Sequence, residues 1–136
     1  MIIDPLTLPS ALRIPRKVQN ALRRYQGVQD QGMQRPADDI WVSHGPIALH
    51  TDSTAKGKIT MGVILLNDGN YWLAIRDRLS SLPVGTVYAL DGREPHGVLS
   101  PAPRTDVFAF LAWDVEPMPI DEFKLQAMER IREWGT

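Results

Sequence analysis

Three residues in this 136-residue chain combine types and spacing suited to metal chemistry. His50-Thr51-Asp52 sets an imidazole and a carboxylate two positions apart at the end of the apolar run Ile47–His50. On an extended strand, residues i and i+2 project from one face, so the two side chains are expected to point together. His96, in Arg93-Glu94-Pro95-His96-Gly97-Val98, comes just after the run Val84–Leu90. A barrel would bring that strand beside the first. Two imidazoles and one carboxylate cap one face of a metal and leave the opposite positions open, a set that suits Fe(II). Eight residues after His96, Arg104 opens the strongly apolar run Val107–Trp113. A guanidinium entering a buried strand needs an anion, and its planar fork fits a carboxylate. A surface pair with Asp106 is the competing reading of Arg104. His44 has no partner motif and reads as a loop or edge-strand residue.

Composition narrows the remaining chemistry. The chain has no cysteine, which excludes disulfides, zinc ribbons, iron–sulfur clusters and thiol catalysis. It has 3 histidines, so any metal site draws on few imidazoles. With 15 basic and 16 acidic residues the formal charge is -1, against nucleic-acid binding by overall charge. The opening residues lack a basic segment followed by an unbroken apolar stretch. No apolar run approaches the roughly 20 residues that span a bilayer. The expected compartment is the cytoplasm, without a membrane partner.

The elements that must position these residues are mainly β. Six short apolar or β-branched runs follow one another: Ile40–Val42, Ile47–His50, Ile59–Leu66, Tyr71–Ile75, Val84–Leu90 and Val107–Trp113. Asp68-Gly69, Asp91-Gly92 and several prolines punctuate them, the signature of a sandwich or barrel. Long intervening helices are absent from the pattern, which disfavours a parallel α/β sheet. Met1–Pro9 reads as extended. A helix is expected within Ser10–Gln26, with Ser10 as a cap or Pro15 as its start. Its basic residues, Arg13, Arg16, Lys17, Arg23 and Arg24, read as a solvated face. Gln26–Asp39 reads as a loop. A second helix starts at Pro119 or Asp121, with Ile120, Phe123, Ala127, Met128, Ile131 and Trp134 at helical spacing. One domain over 1–136 is expected: helix and loop over 1–39, barrel over 40–116 and helix over 117–136.

The ordered set resembles the Fe(II)- and 2-oxoglutarate-dependent oxygenases, in their prolyl-hydroxylase-like branch. The matching features are His50-Thr51-Asp52, the strand Thr60–Asn67 ending in Leu-Asn, and the Pro83-Val84-Gly85 turn before a strand. His96-Gly97-Val98 and then Arg104 complete them, so the resemblance covers His50–Asp114. It implies a double-stranded β-helix, the jelly-roll or cupin-like barrel, flanked by N- and C-terminal helices. It implies His50, Asp52 and His96 as catalytic iron ligands, and Arg104 on the distal carboxylate of 2-oxoglutarate. The implied enzyme is a non-haem dioxygenase that hydroxylates a protein side chain or small molecule, consuming O2 and releasing succinate and CO2. Tyr88, on the strand leading to His96, reads either as lining the cosubstrate pocket or as a core aromatic. Met61 and Leu65 read as cavity-facing or as core, and Trp113 as core packing.

Some features depart from that pattern. Few residues precede His50, and the short turn Asp68-Gly69-Asn70 replaces a longer insert. No second arginine follows Arg104 at the spacing of the nucleic-acid-demethylating branch, although a nucleic-acid substrate stays open. Little chain remains for a lid. An open site is therefore expected, suited to an extended substrate or completed by another subunit in a homo-oligomer. Two other classes compete: a jelly-roll binding or structural module without turnover, and a cupin-type metal enzyme that does not use 2-oxoglutarate.

Overall fold

The structure, a computed structural model, describes residues 6–7, 12–25, 34–100 and 106–134. In chain order these form β1 (Leu6–Thr7), α1 (Arg16–Arg23), β2 (Gln34–Ala37), β3 (Ile40–Ser43), β4 (Ile47–His50) and β5 (Ile59–Asn67). Then come β6 (Trp72–Ile75), β7 (Arg78–Ser81), β8 (Val87–Leu90), β9 (His96–Leu99), β10 (Phe108–Val115) and α2 (Ile120–Trp134). Two antiparallel sheets result. The larger has the order β1-β8-β5-β10-β3-β2, and the smaller β4-β9-β6-β7.

Alternation along the central strands gives the large sheet two apolar faces. On β5, Ile59, Met61, Val63 and Leu65 point to one side, where they join Val18 and Leu22 of α1 and Phe123, Ala127 and Ile131 of α2 in one core. On the other side Ile64, with Tyr88, Leu90, Phe108 and Ala112, meets Leu73, Ile75 and Val98 of the small sheet in a second core. Met61 and Leu65 thus belong to the helix-side core. A register slip between Ala109 and Phe110 puts one extra residue into β5. Leu65 and Leu66 therefore share the helix-side core, as two bulge residues against one partner allow.

The helices follow from spacing and end signals. Pro15 precedes α1, and its carbonyl accepts the N–H groups of Val18 and Gln19 at 3.0 and 3.2 Å. Val18 and Leu22, four apart, bury one stripe, while Arg13, Arg16, Lys17, Arg23 and Arg24 stay exposed. Arg23 forks onto Asp68 at 2.8 and 3.0 Å, fastening α1 to the turn after β5. On α2, Phe123, Ala127 and Ile131 recur at i, i+4 and i+8, and Trp113 packs on Phe123 with ring centroids 4.8 Å apart. No helix among the described residues is long and apolar enough to cross a membrane.

Several elements differ from the sequence reading. Part of the expected loop Gln26–Asp39 is β2, an edge strand in which Pro36 is tolerated. A tight turn with Asp39 at φ 65 returns it into β3. The polar strand β7 pairs with β6 across another tight turn, with Arg76 at φ 53. The run expected from Val84 becomes strand only at Val87, because Thr86 folds back onto Pro83 through N–H and hydroxyl donors at 3.0 and 2.7 Å. Gly85, at φ 91, lies so close to the Leu12 carbonyl that a Cβ there would collide with it.

Candidate metal centre

The two histidines are placed by one strand pair. β4 runs antiparallel to β9, with Ile47 opposite Val98 and His50 opposite His96. Three steps on β4 therefore span two on β9, and the extra residue is a bulge at the sheet edge. Bulges re-aim side chains, and here Ile47 and His50 both line the same cavity despite their odd spacing. Gly97 sits across from the bulge. A Cβ on it would lie 2.7 Å from the Ile47 carbonyl oxygen and 3.1 Å from the Leu49 nitrogen. Glycine thus permits the close approach that sets the two imidazoles side by side, with ring centroids 4.5 Å apart.

Asp52 arrives by a different route from the expected strand face. β4 ends at His50, and Asp52 lies beyond it. Its N–H donates to the Gly92 carbonyl at 2.8 Å, and its own carbonyl accepts the Thr54 N–H at 2.9 Å. The carboxylate then spans the pair: Oδ1 is 3.4 Å from His50 Nε2, and Oδ2 is 3.1 Å from His96 Nε2. One ligand atom from each residue falls within 4.8 Å of the others, so the group can hold a metal ion.

The hydrogen bonds behind the imidazoles decide which nitrogens face inward. His50 Nδ1 is 2.8 Å from the Ala48 carbonyl, and His96 Nδ1 is 2.8 Å from the Glu94 carbonyl. A carbonyl only accepts, so each Nδ1 carries hydrogen and donates. In the neutral rings both Nε2 lone pairs then point at the Asp52 carboxylate, acceptor against acceptor. A cation between them, or a proton on a ring, relieves that repulsion. Backbone anchors on the far ring nitrogen are the usual outer-sphere support of metal-binding histidine. The donor set thus fits a divalent transition metal with open positions.

The surroundings divide into an exposed rim and a mainly apolar interior. The His50 and Asp52 side chains are 37% and 48% exposed, whereas His96 is 10% exposed. The His50 and Asp52 side of the cluster therefore faces solvent. Inward it borders a cavity of about 430 Å³ between the sheets, walled by Ile64, Leu73, Leu82, Leu90, Phe108 and Phe110. Tyr88 lines the same cavity. Burial first, and then the Asp52 charge, pushes its phenol far above the ordinary tyrosine range, so it stays protonated. Tyr88 is therefore both cavity wall and core aromatic. Arg104 lies outside the described residues. His44 sits in the bend after β3, outside the cluster.

Three residues beside the cluster or the cavity were not legible in the sequence. Arg93 grips the segment that follows Asp52 through three of its carbonyls. Thr60 donates to Asp114 at 2.8 Å across β5 and β10 at the cavity wall. Arg35 lies over the Trp41 ring, 4.7 Å from its centroid. None carries a local motif: Arg93 and Thr60 act through partners distant in sequence, and Arg35 meets Trp41 only across the turn from β2 to β3. The signal that pointed toward Arg93 was its place in Asp91-Gly92-Arg93-Glu94, a turn directly before His96. Compared with known proteins, the chain matches no family model and no curated protein.

Proposed function

We propose that the protein is an Fe(II)- and 2-oxoglutarate-dependent oxygenase built on a double-stranded β-helix, hydroxylating a C–H bond of a protein side chain or small molecule. One observation carries the reading: His50, Asp52 and His96 converge at the wall of an apolar cavity, with both Nδ1 atoms anchored so that Nε2 is presented. Two facing antiparallel sheets, with His50 on edge strand β4, His96 on its neighbour β9 and Asp52 just beyond β4, support the fold assignment. When bound, Fe(II) would supply activation of O2 coupled to oxidative decarboxylation of 2-oxoglutarate to succinate and CO2.

The chain's own residues then have distinct tasks. His50, Asp52 and His96 would hold the ion with one negative charge from protein, leaving positive charge to meet an anionic cosubstrate. The protonated Tyr88 hydroxyl would donate a hydrogen bond to an oxygen held in the cavity. Arg104, on the sequence resemblance, would pair with the distal carboxylate. The apolar wall excludes water from the reacting centre and limits side reactions. The half-exposed His50 and Asp52 leave room for a substrate larger than the cavity to approach from outside.

The test is succinate formation from 2-oxoglutarate, with Fe(II), O2 and a reductant, in wild type, His96→Ala and Arg104→Ala. Wild type should form succinate only when both Fe(II) and 2-oxoglutarate are present, and His96→Ala should form none. Arg104→Ala should need far more 2-oxoglutarate. Metal binding without any 2-oxoglutarate binding would instead support a metal enzyme of the cupin type.

A further inference from the structure

The turn Asp91-Gly92-Arg93-Glu94, between β8 and β9, serves both sides of the metal cluster. Its Gly92 carbonyl takes the Asp52 N–H, and its Glu94 carbonyl takes His96 Nδ1. Between these two, Arg93 reaches across to the segment that carries Asp52 into β5. Nη1 donates to the carbonyls of Thr54 and Ala55 at 3.1 and 3.0 Å, and Nη2 donates to that of Lys58 at 3.0 Å. Nε lies 3.1 Å from Asp91 Oδ1, which also accepts the Arg93 N–H.

The segment over 51–58 contains no strand or helix to fix it. Within it, Thr54 N–H bonds the Asp52 carbonyl, and Lys58 N–H bonds the Ala55 carbonyl. Three carbonyls thus turn inward around a planar guanidinium, which satisfies them at once as a fixed cation. Lysine carries the same charge but cannot supply that fork. The Arg93 side chain is 42% exposed. Its hydrogen bonds compete with water, so they add modestly to stability. Their effect falls on where Asp52 sits.

We infer that Arg93 is a positioning residue of the metal site: its guanidinium gathers the Thr54, Ala55 and Lys58 carbonyls and thereby holds Asp52 opposite His50 and His96. The inference rests on the metal reading proposed above, and the experiment separates the two. Anaerobic titration with Co(II), followed by its visible absorption, is performed on wild type, Arg93→Ala, Arg93→Lys and Arg76→Ala. Urea midpoints of the metal-free proteins are measured alongside. Arg76→Ala is the control, because it removes a 2.5 Å partner of Glu94 in the same turn while leaving the Arg93 guanidinium and its carbonyl partners in the sequence.

Arg93→Ala should bind Co(II) at least about tenfold more weakly than wild type, the scale of lost outer-sphere support. Arg93→Lys should also weaken, and both should show an altered visible spectrum. Arg76→Ala should bind as wild type, with urea midpoints close for all three variants. Arg93 variants that bind Co(II) within twofold of wild type overturn the inference. So does an affinity loss that only accompanies a collapse of metal-free stability in both Arg93 variants. Wild type that binds no Co(II) refutes the metal reading itself, and the inference falls with it.

Discussion

Substituting alanine for Gly97 tests whether the β4–β9 contact sets the metal cluster. All three of the atoms nearest a Cβ at this position are β4 backbone: the Ile47 oxygen at 2.7 Å, the Leu49 nitrogen at 3.1 Å and the Ala48 carbonyl carbon at 3.2 Å. No side chain can swing aside to make room. Bringing the shortest contact out to an ordinary 3.4 Å requires β4 to retreat by about 0.7 Å. β4 is an edge strand with Leu49 exposed, and only the half-buried Ile47 of this strand packs on a core, so it can yield with little loss of buried surface. The stability cost should sit at the low end of the roughly 1–3 kcal/mol typical of overpacking. The metal site has less tolerance, because coordination distances hold within about 0.2 Å. His50 would withdraw from His96 by several times that margin. Gly97→Ala should therefore unfold in urea near wild type, with an unchanged slope, yet bind Co(II) about 10–100-fold more weakly. A folded Gly97→Ala protein that binds the metal as tightly as wild type would show that the β4–β9 contact does not set the cluster.

Three other perturbations probe the cavity, the helix-side core and the metal cluster. Tyr88→Phe should flatten the alkaline loss of stability: the unfolded chain releases this proton near about pH 10, and the folded chain, whose phenol is raised by burial and Asp52, retains it. The contribution is thus complete below that pH and lost as pH rises beyond it. Urea midpoints from about pH 9 to 11 check this, and equal slopes for the two proteins would contradict it. Phe123→Ala should cost about 3–5 kcal/mol in urea unfolding, because the ring is fully buried under the large sheet. Metal affinity at the far face should be unchanged, and a matching loss there would argue against separate cores. Saturating metal at about 100 times its Kd should stabilise the wild type by about 2.7 kcal/mol in thermal unfolding, reversed by chelator and absent in Asp52→Ala.

The legible parts of the fold are those whose signals are local. The long run ending Leu65-Leu66-Asn67 announces β5, and the helical spacing of Phe123, Ala127 and Ile131 announces α2. β2 and β7 escape because Gln34–Ala37 and Arg78–Ser81 are polar edge strands, set by pairing with a neighbour and by turns at Asp39 and Arg76. The candidate site divides in the same way. His50, Asp52 and His96 are readable from residue type and order, and the structure brings them together. Their geometry is not: the β4 bulge, the Gly97 contact and the carbonyl anchors on Nδ1 depend on which strands pair. Asp52 reaches the cluster from beyond the strand, held by the Gly92 carbonyl, so it meets His50 through a turn and not on the shared strand face that the spacing predicted.

The proposed function requires one divalent metal between His50, Asp52 and His96. Crystals loaded anaerobically with Fe(II), with diffraction recorded on both sides of the iron absorption edge, test it directly. One anomalous peak is expected, about 2.0–2.3 Å from Nε2 of each histidine and from an Asp52 oxygen, with both Nδ1 atoms still on their carbonyls. A peak bonded through Nδ1, a peak elsewhere, or no peak in saturated crystals would contradict it.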